Sequence, residues 1–234
     1  MASEDIPESE GKGRGEEIAG AVPHLSGAPP SLRPLAEWWP LVVQEQKTVA
    51  AHYFSAERCY AEITSHARVP LDAAQAKLLT RLTLGEQQKA IAVELGITPA
   101  AVTRRLQRCL RALGLSCRGS AIPLFLVAAS AAFQADRPIK LWVHVTRTGT
   151  AHGEVELLSL ARPDRRLPSS LGPAECEVAR LLVEGFTQAD IATRRHTSLR
   201  TAGNQVGAVF AKLGVSGRVP LLLALLRLAA EGEP

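Results

Sequence analysis

The sequence predicts a mainly α-helical protein made of two small four-helix modules, each preceded by a short β-hairpin. Three observations carry this prediction: a repeat at an offset of 100 residues, a helical spacing of apolar residues within each copy, and extended apolar runs before each copy. Identical residues recur at Leu71/Leu171, Ala74/Ala174, Leu82/Leu182, Gly85/Gly185, Gln88/Gln188, Ile91/Ile191, Ala92/Ala192, Leu113/Leu213, Gly114/Gly214, Ser116/Ser216 and Arg118/Arg218. The chain therefore carries one module twice.

The composition suits two small domains, because 234 residues with 46% hydrophobic content can bury a substantial core. Residues 1–33 are rich in Gly, Glu, Ser and Pro, and this predicts a disordered acidic tail. We divide the remainder into residues 35–134 (hairpin and first module), 135–170 (hairpin and linker) and 171–234 (second module).

The sequence also excludes several classes of protein. Residues 1–20 are polar and unlike a signal peptide, and the apolar run 121–133 is shorter than the ~20 residues that span a bilayer, so we expect a cytoplasmic protein without a membrane contact. The four cysteines form no C-x-x-C pair and are expected to be buried, and the six histidines form no catalytic pattern. We therefore predict no metal, no cofactor and no enzyme activity.

The net charge of +4 is unevenly distributed along the chain. Residues 1–20 hold six acids and two bases, which leaves the remainder at about +8, most of it from arginine. Arginine suits phosphate contacts through its planar fork, but a codon bias toward arginine explains the same composition equally well. Composition alone does not establish nucleic-acid binding.

Each hairpin is predicted from two extended runs around a polar turn. Residues 48–54 and 58–64 flank the turn Ser55-Ala56-Glu57, although the alanines and Glu62 leave a helix as an alternative. Residues 139–146 and 153–161 form the second pair of runs, and a connector rich in Pro and Ser follows.

Helical periodicity begins at Leu71 and continues through four segments in each copy. The first set is predicted at 71–84, 87–95, 98–113 and 120–133, with Thr98 as the N-cap of the third helix and Gly85 and Gly114 as stops. The second set is predicted at 173–184, 188–195, 199–213 and 219–230, behind the caps Thr187 and Ser198. The helix 120–133 is nearly all apolar and needs a cover, for which a second subunit is a candidate.

Two helices joined by a tight turn and braced by a preceding helix form a helix-turn-helix unit, whose later helix enters the major groove of DNA. In the first copy, the apolar stripe of the third helix leaves an opposite face of Thr103, Arg104, Gln107, Arg108 and Arg111, with Arg105 beside it. No acidic residue lies between Glu94 and Arg118 to pair with these arginines along the helix, so we favour double-stranded DNA as the partner. A solvated helix face is the alternative.

Both copies resemble the LuxR-type helix-turn-helix domain of bacterial transcription regulators. In the second copy the resemblance rests on L-G-P-A-E at 171–175, E-G-F-T-Q-A-D-I-A at 184–192, Ser198, Thr201 and K-L-G-V-S-G-R at 212–218. In the first copy it rests on Leu71, Gly85, the I-A pair at 91–92, G-I-T at 96–98, Val102 and L-G-L-S-C-R at 113–118. The matches cover under half of the chain, and neither hairpin belongs to the resemblance.

The resemblance implies a third helix that recognises DNA, a second helix whose start touches the DNA backbone, and a fourth helix that often mediates dimerisation. By position, the DNA-facing residues would be Lys89, Thr98, Thr103, Arg104, Arg105 and Arg108 in the first copy, and Gln188, Arg200, Thr201, Asn204 and Gln205 in the second. Neither copy has the family's usual histidine at position 105 or 205. Gly203 and Gly207 each cost the second recognition helix about 1 kcal/mol relative to alanine, so we expect the first copy to bind DNA more strongly.

Two functions follow from this reading. The first is a transcription regulator that binds duplex DNA through one or both modules. The alternative is an interaction or dimerisation module, with degenerate helix-turn-helix units that act on the transcription machinery, such as RNA polymerase or a second copy of the chain, through the apolar fourth helices. The leucines at 221–226 motivate the alternative, but they could equally close the core of their own module.

Overall fold

The computed structural model describes residues 30–44, 47–65, 71–115, 121–150 and 153–231. Within these ranges the strands are β1 (Ser31–Pro34), β2 (Thr48–Phe54), β3 (Arg58–Thr64), β4 (Trp142–Thr150) and β5 (Gly153–Ala161). The helices are α1 (Trp38–Val43), α2 (Ala73–Thr83), α3 (Gln88–Glu94), α4 (Pro99–Ala112), α5 (Leu124–Phe133), α6 (Pro173–Val183), α7 (Gln188–Arg194), α8 (Leu199–Lys212) and α9 (Arg218–Glu231). The described part of the chain is thus mainly helical, as predicted.

The two predicted hairpins combine into one antiparallel sheet with the strand order β1-β4-β5-β3-β2. The bounds of β2 and β3 match the prediction, so the helical alternative for this segment is wrong, and β4 begins at Trp142 rather than at residue 139. The two hairpins are not separate, contrary to the prediction from the sequence, because β3 pairs with β5 along its whole length. This pairing satisfies backbone groups that each hairpin alone would leave unpaired at an edge.

The predicted boundary of the tail at residue 33 is wrong. Residues 31–33 belong to β1, in which Ser31 lies opposite Val145 and Leu32 opposite His144 of β4. Backbone pairing with β4 orders this segment although it has few apolar side chains, and the buried Leu35 follows it directly. Residues 1–29 of the predicted tail lie outside the described residues.

Side-chain caps fix the starts of the helices where the sequence predicts them. The Oγ1 of Thr98 accepts the backbone N–H of Ala101, and Thr187 and Ser198 cap α7 and α8 in the same way. The turn between α3 and α4 contains Gly96 at φ +61°, and His196 takes the same left-handed conformation (φ +50°) between α7 and α8. The two turns therefore share a shape despite different residues.

The fourth helix of each set packs against the other within the chain. All of α5 except Phe133 is buried, and α5 contacts α9, α1, α2 and the helical turn at Leu35–Glu37. The α9 residues Leu221, Leu222, Leu223, Leu225 and Leu226 are at most 6% exposed. The expected cover of α5 by a second subunit is therefore wrong, because α9 and α1 cover it. The apolar surfaces of α5 and α9, which motivated the predicted homodimer through the fourth helices, are buried within one chain.

A buried arginine joins the sheet to the second set of helices. The guanidinium of Arg162, after β5, pairs with Asp164 at 2.7 Å and with Glu184 at the end of α6 at 2.8 Å, and it donates to the carbonyl of Ser55 at 3.0 Å. Burial of the Arg162 guanidinium without these partners would cost several kcal/mol of folding free energy. Because the partners lie on the β2–β3 turn and at the end of α6, their contacts with Arg162 hold that turn against α6.

The cysteines within the described ranges are free. Cys59 and Cys109 are buried as expected, whereas Cys176 on α6 is partly exposed, so the expectation is wrong there. The described residues contain no group of side chains suited to hold a metal ion. None of the helices in the described ranges is long and apolar enough to cross a membrane.

Candidate nucleic-acid interface

Helix α4 separates a buried apolar face from an exposed basic one. Val102, Leu106 and Cys109 are at most 1% exposed and pack inward, whereas Arg104, Arg105 and Arg108 are exposed. The sequence prediction for the two faces of this helix is confirmed. Three guanidinium groups within five residues therefore stand on one side of the bundle.

These arginines have no acidic partner among the described residues. Nearby, Arg81 pairs with Glu86 and Glu94, and these hydrogen bonds raise the pKa of Arg81 and lower that of Glu86. Glu86 and Glu94 are thus bound by a cation of α2 and not by the arginines of α4. This arrangement counts against the alternative of a helix face covered by salt bridges.

The remaining predicted residues of the first set lie at the starts of α3 and α4. The hydroxyl of Thr103 lies 2.8 Å from Oε1 of Gln88, so the start of α3 is bound to the first turns of α4. Lys89 is exposed beside this contact, while Thr98 uses its Oγ1 to cap α4. The arginines form the cationic edge of α4, and Lys89 adds an exposed cation at the start of α3. Thr103 and Thr98 hold the starts of these two helices in place.

A hollow of about 320 Å³ adjoins this edge. Arg105 and Arg108 line it together with Lys77, Asp72 and Leu95. Lys77 was not predicted as a site residue; it stands one turn before Arg81 and adds a further cation to the lining that contains Arg105. In the second set, the position 100 residues later is Glu177, which pairs with Arg195.

The corresponding surface of the second set is less basic. Arg195 donates to the side-chain oxygen of Gln205, and Thr201 contacts the Oγ of its cap Ser198 at 2.9 Å. Exposed polar groups remain at Gln188, Arg200 and Asn204. The predicted residues Thr201 and Gln205 of α8 are thus engaged within the protein.

A groove of about 680 Å³ runs between the two sets of helices. It is lined by residues at equivalent positions, among them Gly85 and Gly185, Gln88 and Gln188, and Leu106 and Val206. The starts of α3 and α7 therefore face each other across the groove. This groove was not predicted, because no pattern in the sequence indicates how the two sets of helices pack together.

Helices α6 to α8, braced by α9, have the arrangement of a helix-turn-helix domain. Residues 169–225 match the profile of the family described as bacterial regulatory proteins, luxR family, so this part of the chain forms one LuxR-type helix-turn-helix domain. The matched residues do not include α2 to α5.

Two curated relatives are similar to part of the chain. They are named HTH-type transcriptional regulators, from Mycobacterium bovis and Mycobacterium tuberculosis, and each is 42% identical over 65 residues. The match covers 26% of this chain and 7% of the length of each relative. No solved structure matches the chain significantly.

Proposed function

We propose that the chain is a transcription regulator that binds duplex DNA, and that α2 to α5 form a second copy of the helix-turn-helix module found at residues 169–225. The single observation that carries the proposal is the exposed set of Arg104, Arg105 and Arg108 on α4, for which the described residues supply no acidic partner. The family match and the names of the two relatives support the class of function. The equal lengths of the corresponding helices, with 11, 7 and 14 residues in each set, support the repeat.

In the first module, α4 enters the major groove with Arg104 toward the base edges. Arg105 and Arg108, which line one hollow beside Arg104, bind phosphates, because a guanidinium fork matches phosphate oxygens. Lys89 and Thr98 contact the backbone at the start of the site, and Thr103 fixes the separation of α3 and α4. Phosphate contacts supply most of the affinity and make it dependent on salt.

In the second module, Arg200 at the start of α8 and Gln188 at the start of α7 contact the backbone. Asn204 faces the base edges, and Thr201 and Gln205 lie beside it. A single cation on this face gives fewer phosphate contacts, so the second module adds less to the affinity.

The alternative of an interaction module had two motivations, the glycines at 203 and 207 in α8 and the leucines of α9. The second is lost, because Leu221 to Leu226 are largely buried against the protein's own core. RNA polymerase, or another part of the transcription machinery, would then be reached while the protein is bound to DNA, through a surface other than the apolar faces of α5 and α9.

The affinity of the full chain for mixed-sequence duplex DNA tests the proposal, by fluorescence anisotropy at a fixed salt concentration. The variant R104A/R105A/R108A is expected to bind at least tenfold more weakly, because three phosphate or base contacts are lost. The control R137A/R180A/R227A removes the same charge from exposed arginines outside α4 and should change the affinity much less. If both variants lose the same affinity for DNA, the loss follows from net charge alone, and the assignment of the DNA-binding surface to α4 is refuted.

A further inference from the structure

The two sets of helices make reciprocal contacts. A Cβ placed on Gly85 of the first set would lie 3.4 Å from side-chain atoms of Pro220 and Leu223 on α9 of the second. A Cβ on Gly185 of the second set would lie 3.7 Å from Ala121, which precedes α5 of the first. Contacts exchanged between equivalent positions are those made by two units related by a two-fold axis.

The packing of α5 against α9 uses the apolar surfaces that could otherwise hold a second chain. The side chains of α9 from Leu221 to Leu226 and nearly all of α5 are buried within one molecule. The large exposed apolar residues of these two helices are Phe133 and Leu228, which stand singly toward the helix ends. Isolated residues of this kind do not make a dimer interface.

Both recognition helices line the same groove, α4 through Leu106 and α8 through Val206. Gln88, which contacts Thr103 of α4, and Gln188 also line it. The two recognition helices therefore lie beside one groove. Paired helix-turn-helix units bind half-sites about one helical turn apart on a duplex.

The residues presented by the two helices differ at equivalent positions. Arg104 of α4 corresponds to Asn204 of α8, and both are exposed. A guanidinium fork pairs best with O6 and N7 of guanine, whereas an asparagine amide pairs best with N6 and N7 of adenine. The two helices are therefore suited to different bases.

We propose that one chain, without a second copy, reads two unlike half-sites on a single duplex. Helix α4 binds a guanine-containing half-site and α8 an adenine-containing half-site, and the packing of α5 against α9 fixes their spacing at about one helical turn. This inference rests on the proposed function and adds to it the stoichiometry and the form of the site.

The test begins with duplexes selected by the wild-type chain from a random pool of about 30 base pairs, which is long enough for two half-sites one turn apart. Light scattering of the complex gives the number of chains per duplex, and hydroxyl-radical footprinting gives the protected segments. We expect one chain per duplex and two protected segments about 10 base pairs apart. Two chains per duplex, or a single protected segment, would overturn the inference.

Variants then assign each segment to a helix. R104A/R105A/R108A should lose protection of the guanine-containing segment only, and R200A/N204A should lose protection of the adenine-containing segment only. All five residues are exposed, so the fold is expected to survive. Loss of the same segment in both variants would contradict the assignment.

The spacing of the selected site supplies the last test. Insertion of about 5 base pairs between the segments rotates one half-site to the opposite side of the duplex, so a rigid pair should lose at least tenfold in affinity. Unchanged affinity would show flexibly joined modules and refute the fixed spacing. If the wild-type chain retains no duplex from the pool, the proposed function itself fails, whereas retention with one protected segment refutes only this inference.

Discussion

Nη1 of Arg218 donates to the carbonyl oxygen of Ile122 at 2.6 Å, and this bond joins the first residue of α9 to the segment before α5. The same guanidinium donates to the carbonyls of Leu182 and Val183 at 2.5 and 3.1 Å. One side chain thus connects the end of α6 with the first set of helices. Arg218 belongs to the K-L-G-V-S-G-R segment that resembles the LuxR-type domain, but its contact with the other set was not predicted.

Replacement of Arg218 by methionine should destabilise the packing between the two sets. The change leaves three carbonyl groups without their charged donor, and hydrogen bonds to charged groups contribute about 1.5–3 kcal/mol each at most. We expect the free energy of unfolding to fall by about 2–3 kcal/mol, measured by urea denaturation. The control R227M changes an exposed arginine of α9 and should have little effect; equal stability of the two variants would contradict the role of Arg218.

His52 on β2 should make the stability depend on pH. Burial, and then the charge of Arg218, lower the pKa of His52 below its ordinary value of 6.5. The unfolded chain therefore takes up a proton near pH 6.5 that the folded chain resists, and stability is lost as the pH falls from about 6.5 toward the folded pKa.

The comparison of H52Q with the wild type checks this linkage. In H52Q the decrease in the free energy of unfolding below pH 6.5 should be smaller than in the wild type. H144Q, at an exposed histidine of β4, serves as the control for the substitution itself. If the free energy of unfolding of H52Q depends on pH as it does in the wild type, groups other than His52 cause the loss of stability below pH 6.5.

Gly207 in α8 can be replaced with a gain in stability. It lies in the helix interior, is exposed, and would place a Cβ with no atom within 4 Å. We expect G207A to raise the free energy of unfolding by about 1 kcal/mol in thermal or urea denaturation.

The matched control is G96A, in the turn between α3 and α4. A Cβ there also meets nothing within 4 Å, but Gly96 has φ +61°. An L-residue in this conformation costs about 1–2 kcal/mol, so G96A should be less stable than the wild type. If G207A and G96A change the free energy of unfolding in the same direction, the backbone conformation at the glycine does not determine the effect of the added Cβ.

The helices and hairpins could be predicted because their signals are local. The spacing of Val102, Leu106 and Cys109 defines one helix face, and Thr98 and Ser198 mark helix starts through side-chain caps that the structure retains. The exposure of the α4 arginines follows from the same periodicity.

The tertiary arrangement could not be predicted, because it depends on residues far apart in the sequence. The pairing of β3 with β5 joins segments about 100 residues apart, and no residue pattern in either strand specifies its partner strand. The apolar pattern of α5 required a cover without specifying whether α9 or another chain supplies it. The engagement of Gln205 by Arg195 is equally a product of the fold, since the two side chains meet across the turn between α7 and α8.

The salt dependence of duplex binding tests the central claim, that the arginines of α4 contact DNA phosphates. The slope of log K against log salt concentration should become shallower by roughly one unit for each arginine of the set 104, 105 and 108 that is lost from a phosphate contact. For R104A/R105A/R108A we therefore predict a slope shallower by about two to three units than that of the wild type. An unchanged slope would contradict the account.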